Sequence, residues 1–214
     1  MRKGTLLLAL ALTACIPRAQ PPVEEPRPAS VQTPQGTQAT LQCHIELARE
    51  RVACRALPDR RFENGCSAIG AVQLQDVGTP TTKLGAMTCP LARQYARWVR
   101  EVVQPAASRI LETSVSRVET FGTYSCRPVN NQAGARLSEH GSSNAVDIAS
   151  FVLGNGRRVT VLDGWNGTDE RVRRFLRTIH RQGCERFSVG LGPDSDALHY
   201  NHLHFDVGQS RACR

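Results

Sequence analysis

Two stretches far apart in this chain carry metal-ligand side chains on strand-like alternations, and those ligands meet only if the two strands are neighbours. The first is YSCRPVNNQAGARLSEHGSSNAVDI, Tyr124 to Ile148, in which six residues separate His140 from Asp147. The second is HYNHLHFD, His199 to Asp206. Alternate side chains of a strand share a face, so His202 and His204 are expected to point one way while Leu203 points into the packing. Ala145-Val146-Asp147-Ile148-Ala149 alternates in the same manner, with His140 on the loop that enters it. Two imidazoles and a carboxylate form a set that Zn²⁺ accepts, and three protein ligands with a fourth position open is the catalytic arrangement. His140, Asp147 and His204 are therefore the expected zinc ligands. The Ser138-Glu139 pair also suits a helix cap, so a His140 that simply stands beside a cap is the competing reading.

The N-terminal residues read as an address. Arg2 and Lys3 precede a short apolar run, Thr5–Leu12, and Leu12-Thr13-Ala14 leads to Cys15. That run is too short for a stable membrane anchor. A cysteine at the cleavage point resembles the lipobox of bacterial lipoproteins. The resemblance implies a signal peptide over residues 1–15, with Cys15 acylated as the mature N-terminus. Ile16 in place of Asp implies, by the same sorting rules, the outer membrane. Residues 16–40 hold six prolines and no aromatic residue. Such a segment buries too little apolar area to offset its ordering entropy, and it reads as a flexible linker. Residues 41–214 remain as one domain. The expected location is the periplasm, on a lipid anchor.

The other cysteines, Cys43, Cys54, Cys66, Cys89, Cys126, Cys184 and Cys213, suit that oxidising compartment. Seven is odd, so up to three bridges and one spare thiol are expected, with the connectivity open. Cys126 beside Arg127 invites reading as a nucleophile, but a disulfide that fixes Arg127 near the site is the preferred use. Helical spacing covers Cys43–Ala53, and Ala71–Val77 alternates like a strand. Leu91, Tyr95, Trp98, Val99 and Val102 share one face of a helix beginning at Pro90, which Pro105 is expected to end or kink. Val115–Tyr124 reads as a strand. Gly154-Asn155-Gly156 makes a hairpin turn between Ile148–Leu153 and Arg158–Leu162. Thr168-Asp169-Glu170 opens a helix that Gly183 stops, and Phe187–Leu191 and Leu203–Val207 are the last strands. The sum is an α+β domain, helices packed on a central, mostly antiparallel sheet and stapled by disulfides.

With these residues in view, the domain resembles the extensin-like C-terminal domain family. Its site is similar to that of the zinc peptidase superfamily containing lysostaphin, the D-alanyl-D-alanine metallopeptidases and the hedgehog signalling domain. The resemblance rests on Ser138-Glu139-His140, Ala145-Val146-Asp147-Ile148, Leu191-Gly192-Pro193 and His202-Leu203-His204. It implies zinc on His140, Asp147 and His204, with His202 acting on the reacting centre. It also implies that Arg127 binds substrate or stabilises the transition state. Asn201 departs from the pattern: many D-Ala-D-Ala relatives carry a general-base carboxylate there, so either His202 is the base or activity is weak. His202-x-His204-x-Asp206 also spells a metallo-β-lactamase fragment, but no histidine follows to complete that motif. Asp206 fits better as an acceptor that orients a ligand imidazole, with Ser138 and His199 as further outer-shell candidates.

The implied substrates are the stem peptides and cross-links of peptidoglycan, cleaved by a DD-endopeptidase or DD-carboxypeptidase. An inactive, zinc-bearing lipoprotein that binds the cell wall or scaffolds envelope proteins is the alternative. The net charge of +8 suits polyanionic surfaces. It is too diffuse to argue for nucleic acid.

Overall fold

The computed structural model describes residues 35–214. The signal peptide, Cys15 and the linker as far as residue 34 lie outside the described residues. Helix α1 (Gln35–Arg49) begins inside the segment that composition assigns to the linker, and it stops four residues short of the expected Ala53. Four short strands follow: β1 (Ala53–Ala56), β2 (Arg60–Arg61), β3 (Ser67–Ala68) and β4 (Val72–Asp76). They pair as β1 with β4 and β2 with β3. Next come β5 (Thr81–Thr82) and helix α2 (Cys89–Trp98).

Pro105 does not end this helix. Helical backbone continues through the π-helical turn Val99–Val103, α3 (Gln104–Ala106) and a second π-helical turn, Ala107–Leu111. Proline lacks an N–H and crowds the carbonyl four residues back. The wider π turns on either side re-space the hydrogen-bond ladder where that donor is missing. The helix closes instead at Glu112, in the left-handed conformation.

The remaining elements are β6 (Val115–Gly122), β7 (Ala145–Leu153), β8 (Arg158–Thr160), α4 (Val161–Gly164), α5 (Glu170–Cys184), β9 (Val189–Leu191), β10 (Leu203–Asp206) and β11 (Ala212–Cys213). Among the described residues a seven-stranded sheet runs β11-β9-β10-β7-β6-β5, with β8 hairpinned onto β7. Its pairs are antiparallel except β11–β9 and β5–β6. The protein is thus an α+β domain. As expected, Asp169 caps α5, accepting from the backbone N–H groups of Arg171 and Val172.

The helices pack on one face of the sheet. Trp98 lies 5.2 Å from Phe205 and 6.4 Å from Phe151, ring centre to ring centre, and its indole N–H donates to Ile179 O at 3.0 Å. Phe175 of α5 meets Phe151 edge-on. Gly183 lets α5 approach the sheet: a Cβ there would stand 2.5 Å from the Phe205 ring. Three disulfides tie the periphery to this core: Cys43–Cys89, Cys66–Cys126 and Cys184–Cys213. Cys54 is the spare thiol, with its Sγ 3.4 Å from His44 Nδ1.

Candidate metal centre

Strand register delivers two of the expected ligands. In the β10–β7 pair His204 stands directly opposite Asp147. Phe205, next to His204, faces the helices, so His204 faces the other side of the sheet. Asp147 shares that side, although Phe151, an even four residues on, packs against the helices. Two compensating bulges account for this. Against β6, the step from Ser150 to Ile148 leaves Ala149 as an extra residue on β7, and the step from Thr120 to Gly122 leaves Phe121 as an extra residue on β6. The first bulge reverses the facing of β7, so Asp147 leaves the core side.

His140 comes from a 3₁₀ turn, Glu139–Ser142. Ser138 caps it, its Oγ accepting from the His140 backbone N–H at 3.4 Å. Ser138 therefore acts on the backbone of His140 and not on its ring. The ring is oriented by Thr123, whose carbonyl accepts from Nδ1 at 3.3 Å. His140 is both the capped-turn residue and a member of the cluster.

The three side chains are buried, at 2 % exposure for His140, 9 % for Asp147 and 8 % for His204. His140 Nε2 lies 3.2 Å from Asp147 Oδ1 and 3.1 Å from His204 Nδ1, and His204 Nδ1 lies 3.0 Å from Asp147 Oδ1. Ligand atoms of a tetrahedral zinc at about 2.0–2.2 Å stand about 3.3–3.6 Å apart. The triangle is close to one face of such a tetrahedron. His204 Nε2 is taken up by Asp206 Oδ2 at 3.3 Å, so Asp206 orients the His204 ring. The donor set thus fits a divalent cation: two ring nitrogens and a carboxylate oxygen converge, and the other ring nitrogens have partners of their own.

The electrostatics agree with that fit. Burial pushes the Asp147 carboxyl up, but hydrogen bonds from His140 and His204 outweigh it and hold the group well below the usual carboxylate range. Burial likewise opposes charge on His204, yet Asp147 and Asp206 together push it up to about 9.

His202 precedes β10 on the same side. Its Nε2 lies 3.5 Å from Asp147 Oδ1, but it stays outside the close group formed by the other three. Asn201 Oδ1 accepts from His202 Nδ1–H at 2.9 Å, which leaves the Nε2 lone pair facing the cluster. Burial lowers His202 to about 4, so its imidazole is neutral at neutral pH. His199 is oriented by Asp196 at 2.8 Å, and its ring stands 5.7 Å from that of His204. Arg127 lines a cleft of about 100 Å³ with Arg136, His140, His199, His204 and Asp206. The Cys66–Cys126 bridge anchors the neighbour of Arg127, and Arg127 O accepts from Ser138 N–H at 3.0 Å.

Sequence reasoning missed Thr123, Asp196 and Phe121. The first acts through a carbonyl, which no side chain advertises. Asp196, three residues before His199, was open to discovery as a local carboxylate–histidine pair. Phe121, edge-on to His202 at 5.7 Å between ring centres, owes its place to a bulge. A second group of ligand-type atoms, His180, Cys184 and Cys213, contains both sulfurs of one disulfide and so offers no thiolate.

Fold and site together define an α+β, disulfide-stapled domain whose sheet presents a His–Asp–His cluster on the face away from its helices. The family described as "Extensin-like protein C-terminus" matches residues 41–214, and the chain belongs to it. No curated protein and no solved structure matches the chain.

Proposed function

We propose that this protein is a zinc-dependent peptidase of peptidoglycan, cutting stem peptides or cross-links as a DD-carboxypeptidase or DD-endopeptidase. The observation that carries the reading is the convergence of His140 Nε2, Asp147 Oδ1 and His204 Nδ1 within 3.0–3.2 Å of one another. Zinc held there would act as a Lewis acid on a scissile carbonyl and would acidify a water at the open position. The chain's own residues supply the rest. His202, neutral and with its Nε2 free, accepts a proton from the attacking water and returns it to the leaving amine. Asn201 holds the tautomer that this requires. Arg127 lies in the adjoining cleft, where its guanidinium suits a terminal carboxylate or a developing oxyanion. Asp206 and Thr123 keep the two imidazoles aimed inward.

Anchoring through Cys15 in the periplasm belongs to the same reading, because a lipid tether would keep the domain near the cell wall. Cys15→Ser should move the protein from the membrane fraction to the soluble one. A second reading, a zinc-bearing domain that binds the wall without cutting it, draws on Asn201, which has no carboxylate to serve as base. The deciding experiment is mass spectrometry of purified peptidoglycan after digestion with the zinc-loaded protein, beside His202→Ala. New stem-peptide ends made by the wild type alone support the peptidase. Sedimentation with peptidoglycan without cleavage supports the binder.

A further inference from the structure

Several large apolar side chains that neighbour site residues in the chain are exposed. Among the described residues, Phe121 and Tyr124 flank Thr123, whose carbonyl orients His140, and Leu198 and Tyr200 flank His199; all four are exposed. Phe62 leans on Tyr124 at 5.1 Å between ring centres. These five are the majority of the nine large exposed hydrophobic side chains among the described residues.

Phe121 is the most telling of them. It is the extra residue of the β6 bulge, followed by Gly122 at φ +129°, a conformation that side chains with a Cβ rarely adopt. Bulges re-aim a side chain, and this one sets the Phe121 ring edge-on to His202 while leaving it 53 % exposed. The ring thus stands half in water beside the part-buried imidazole of His202. The cleft of Arg127 and Arg136 includes neither His202 nor Phe121. Arg127 and Arg136 thus line one cleft at the cluster, and Phe121 stands outside that cleft.

We infer that Phe121 is a specificity-determining wall that takes an apolar side chain of the bound peptide on the flank not lined by Arg127. The inference rests on the peptidase reading for the direction of the chain: the carboxylate-bearing part lies toward Arg127, and the acyl-side residue lies against Phe121. Peptides with alanine-sized or larger side chains at that acyl position are favoured over glycine.

The test uses zinc-loaded full-length protein and acetyl-Lys-D-Xaa-D-Ala probes with Xaa as glycine, alanine or leucine. The scissile amide is replaced by a methylene-amine link, so nothing turns over, and dissociation constants are read by calorimetry. Wild type should prefer the alanine and leucine probes to glycine by about 10-fold, the scale of an apolar-pocket contact. Phe121→Ala should abolish that preference and leave glycine-probe binding and zinc content unchanged, while Phe121→Leu should restore most of it. Equal loss on every probe, no loss, or no binding to wild type would each overturn the assignment. So would a loss seen only when a sugar is attached to the peptide, because the ring would then be a glycan platform. Hydrolysis of the matching natural amides is scored separately. Selective binding without cleavage refutes the peptidase and keeps Phe121, whereas cleavage indifferent to Phe121→Ala does the reverse.

Discussion

His204 and Asp147 face each other across β10 and β7 as register partners, with Nδ1 and Oδ1 3.0 Å apart. Directly opposed residues of an antiparallel pair hold their Cβ atoms about 4.5–5.5 Å apart. Two side chains of the cluster are thus brought together by backbone hydrogen bonding. Only His140 has to be delivered separately, by a turn that Ser138 caps, with its ring oriented by the Thr123 carbonyl.

This geometry separates holding a metal from using it. His204→Ala and Asp147→Ala should each lose zinc together with any hydrolysis. His202→Ala should keep zinc and lose hydrolysis by about 10²–10⁴-fold, the range of a positioned acid or base. Metal analysis beside peptide turnover reads both. Loss of zinc from His202→Ala would exchange the assigned roles of ligand and base.

Zinc affinity should depend on pH through His204. Its proton is held to about 9 by Asp147 and Asp206, against the opposing effect of burial. In the metal-free protein that raised value stabilises the fold fully below about 6.5. The contribution fades as pH rises through about 9. Zinc competes with the same proton, so its affinity should fall about tenfold per pH unit as pH drops below that value. Calorimetry at neutral pH in buffers of different ionisation enthalpy should show a proton released for each zinc bound. No release would remove His204 from the ligand set.

Asp206→Asn keeps the shape and removes the negative charge that accepts from His204 Nε2. Zinc affinity should drop by about 10–100-fold, the usual cost of losing such a partner. An affinity equal to wild type in competition with a chelator would show that Asp206 merely packs beside the ring.

Glu119 bridges the strands beside the Ala149 bulge. Hydrogen bonds from Ser150 and Arg158 outweigh its burial and hold its carboxyl at about 2. A depressed carboxylate stabilises the fold above its ordinary value of about 4.5 and loses that contribution as pH falls toward 2. Urea titrations over this range should give wild type a steeper acid limb than Glu119→Gln. Parallel curves for the two proteins would refute the linkage.

The cysteine pairing is open to direct mapping. Alkylation in denaturant without reductant should label Cys54 and spare Cys43, Cys66, Cys89, Cys126, Cys184 and Cys213. Replacing Cys66 and Cys126 together by serine should lower stability by about 2–5 kcal/mol. It should also free the segment carrying Arg127, visible as faster amide exchange there.

The sequence alone determined the parts that depend on near neighbours. Alternation marked β7 and β10, residue chemistry marked His140, Asp147 and His204, and Asp169 announced the start of α5. The odd cysteine count carried the expectation of a spare thiol, since pairing parity needs no coordinates. Tertiary structure decided the rest. A strand's period is local, but a bulge exists only relative to the strand beside it. The reversal at Ala149 that turns Asp147 away from Phe151, and the aiming of Phe121 at His202, were therefore invisible in either strand read singly. The Thr123 carbonyl had no side-chain signature, and Pro105 passed through its helix because flanking π turns took up the missing donor. Local chemistry marked the candidate residues; the register between β6, β7 and β10 determined which of them meet.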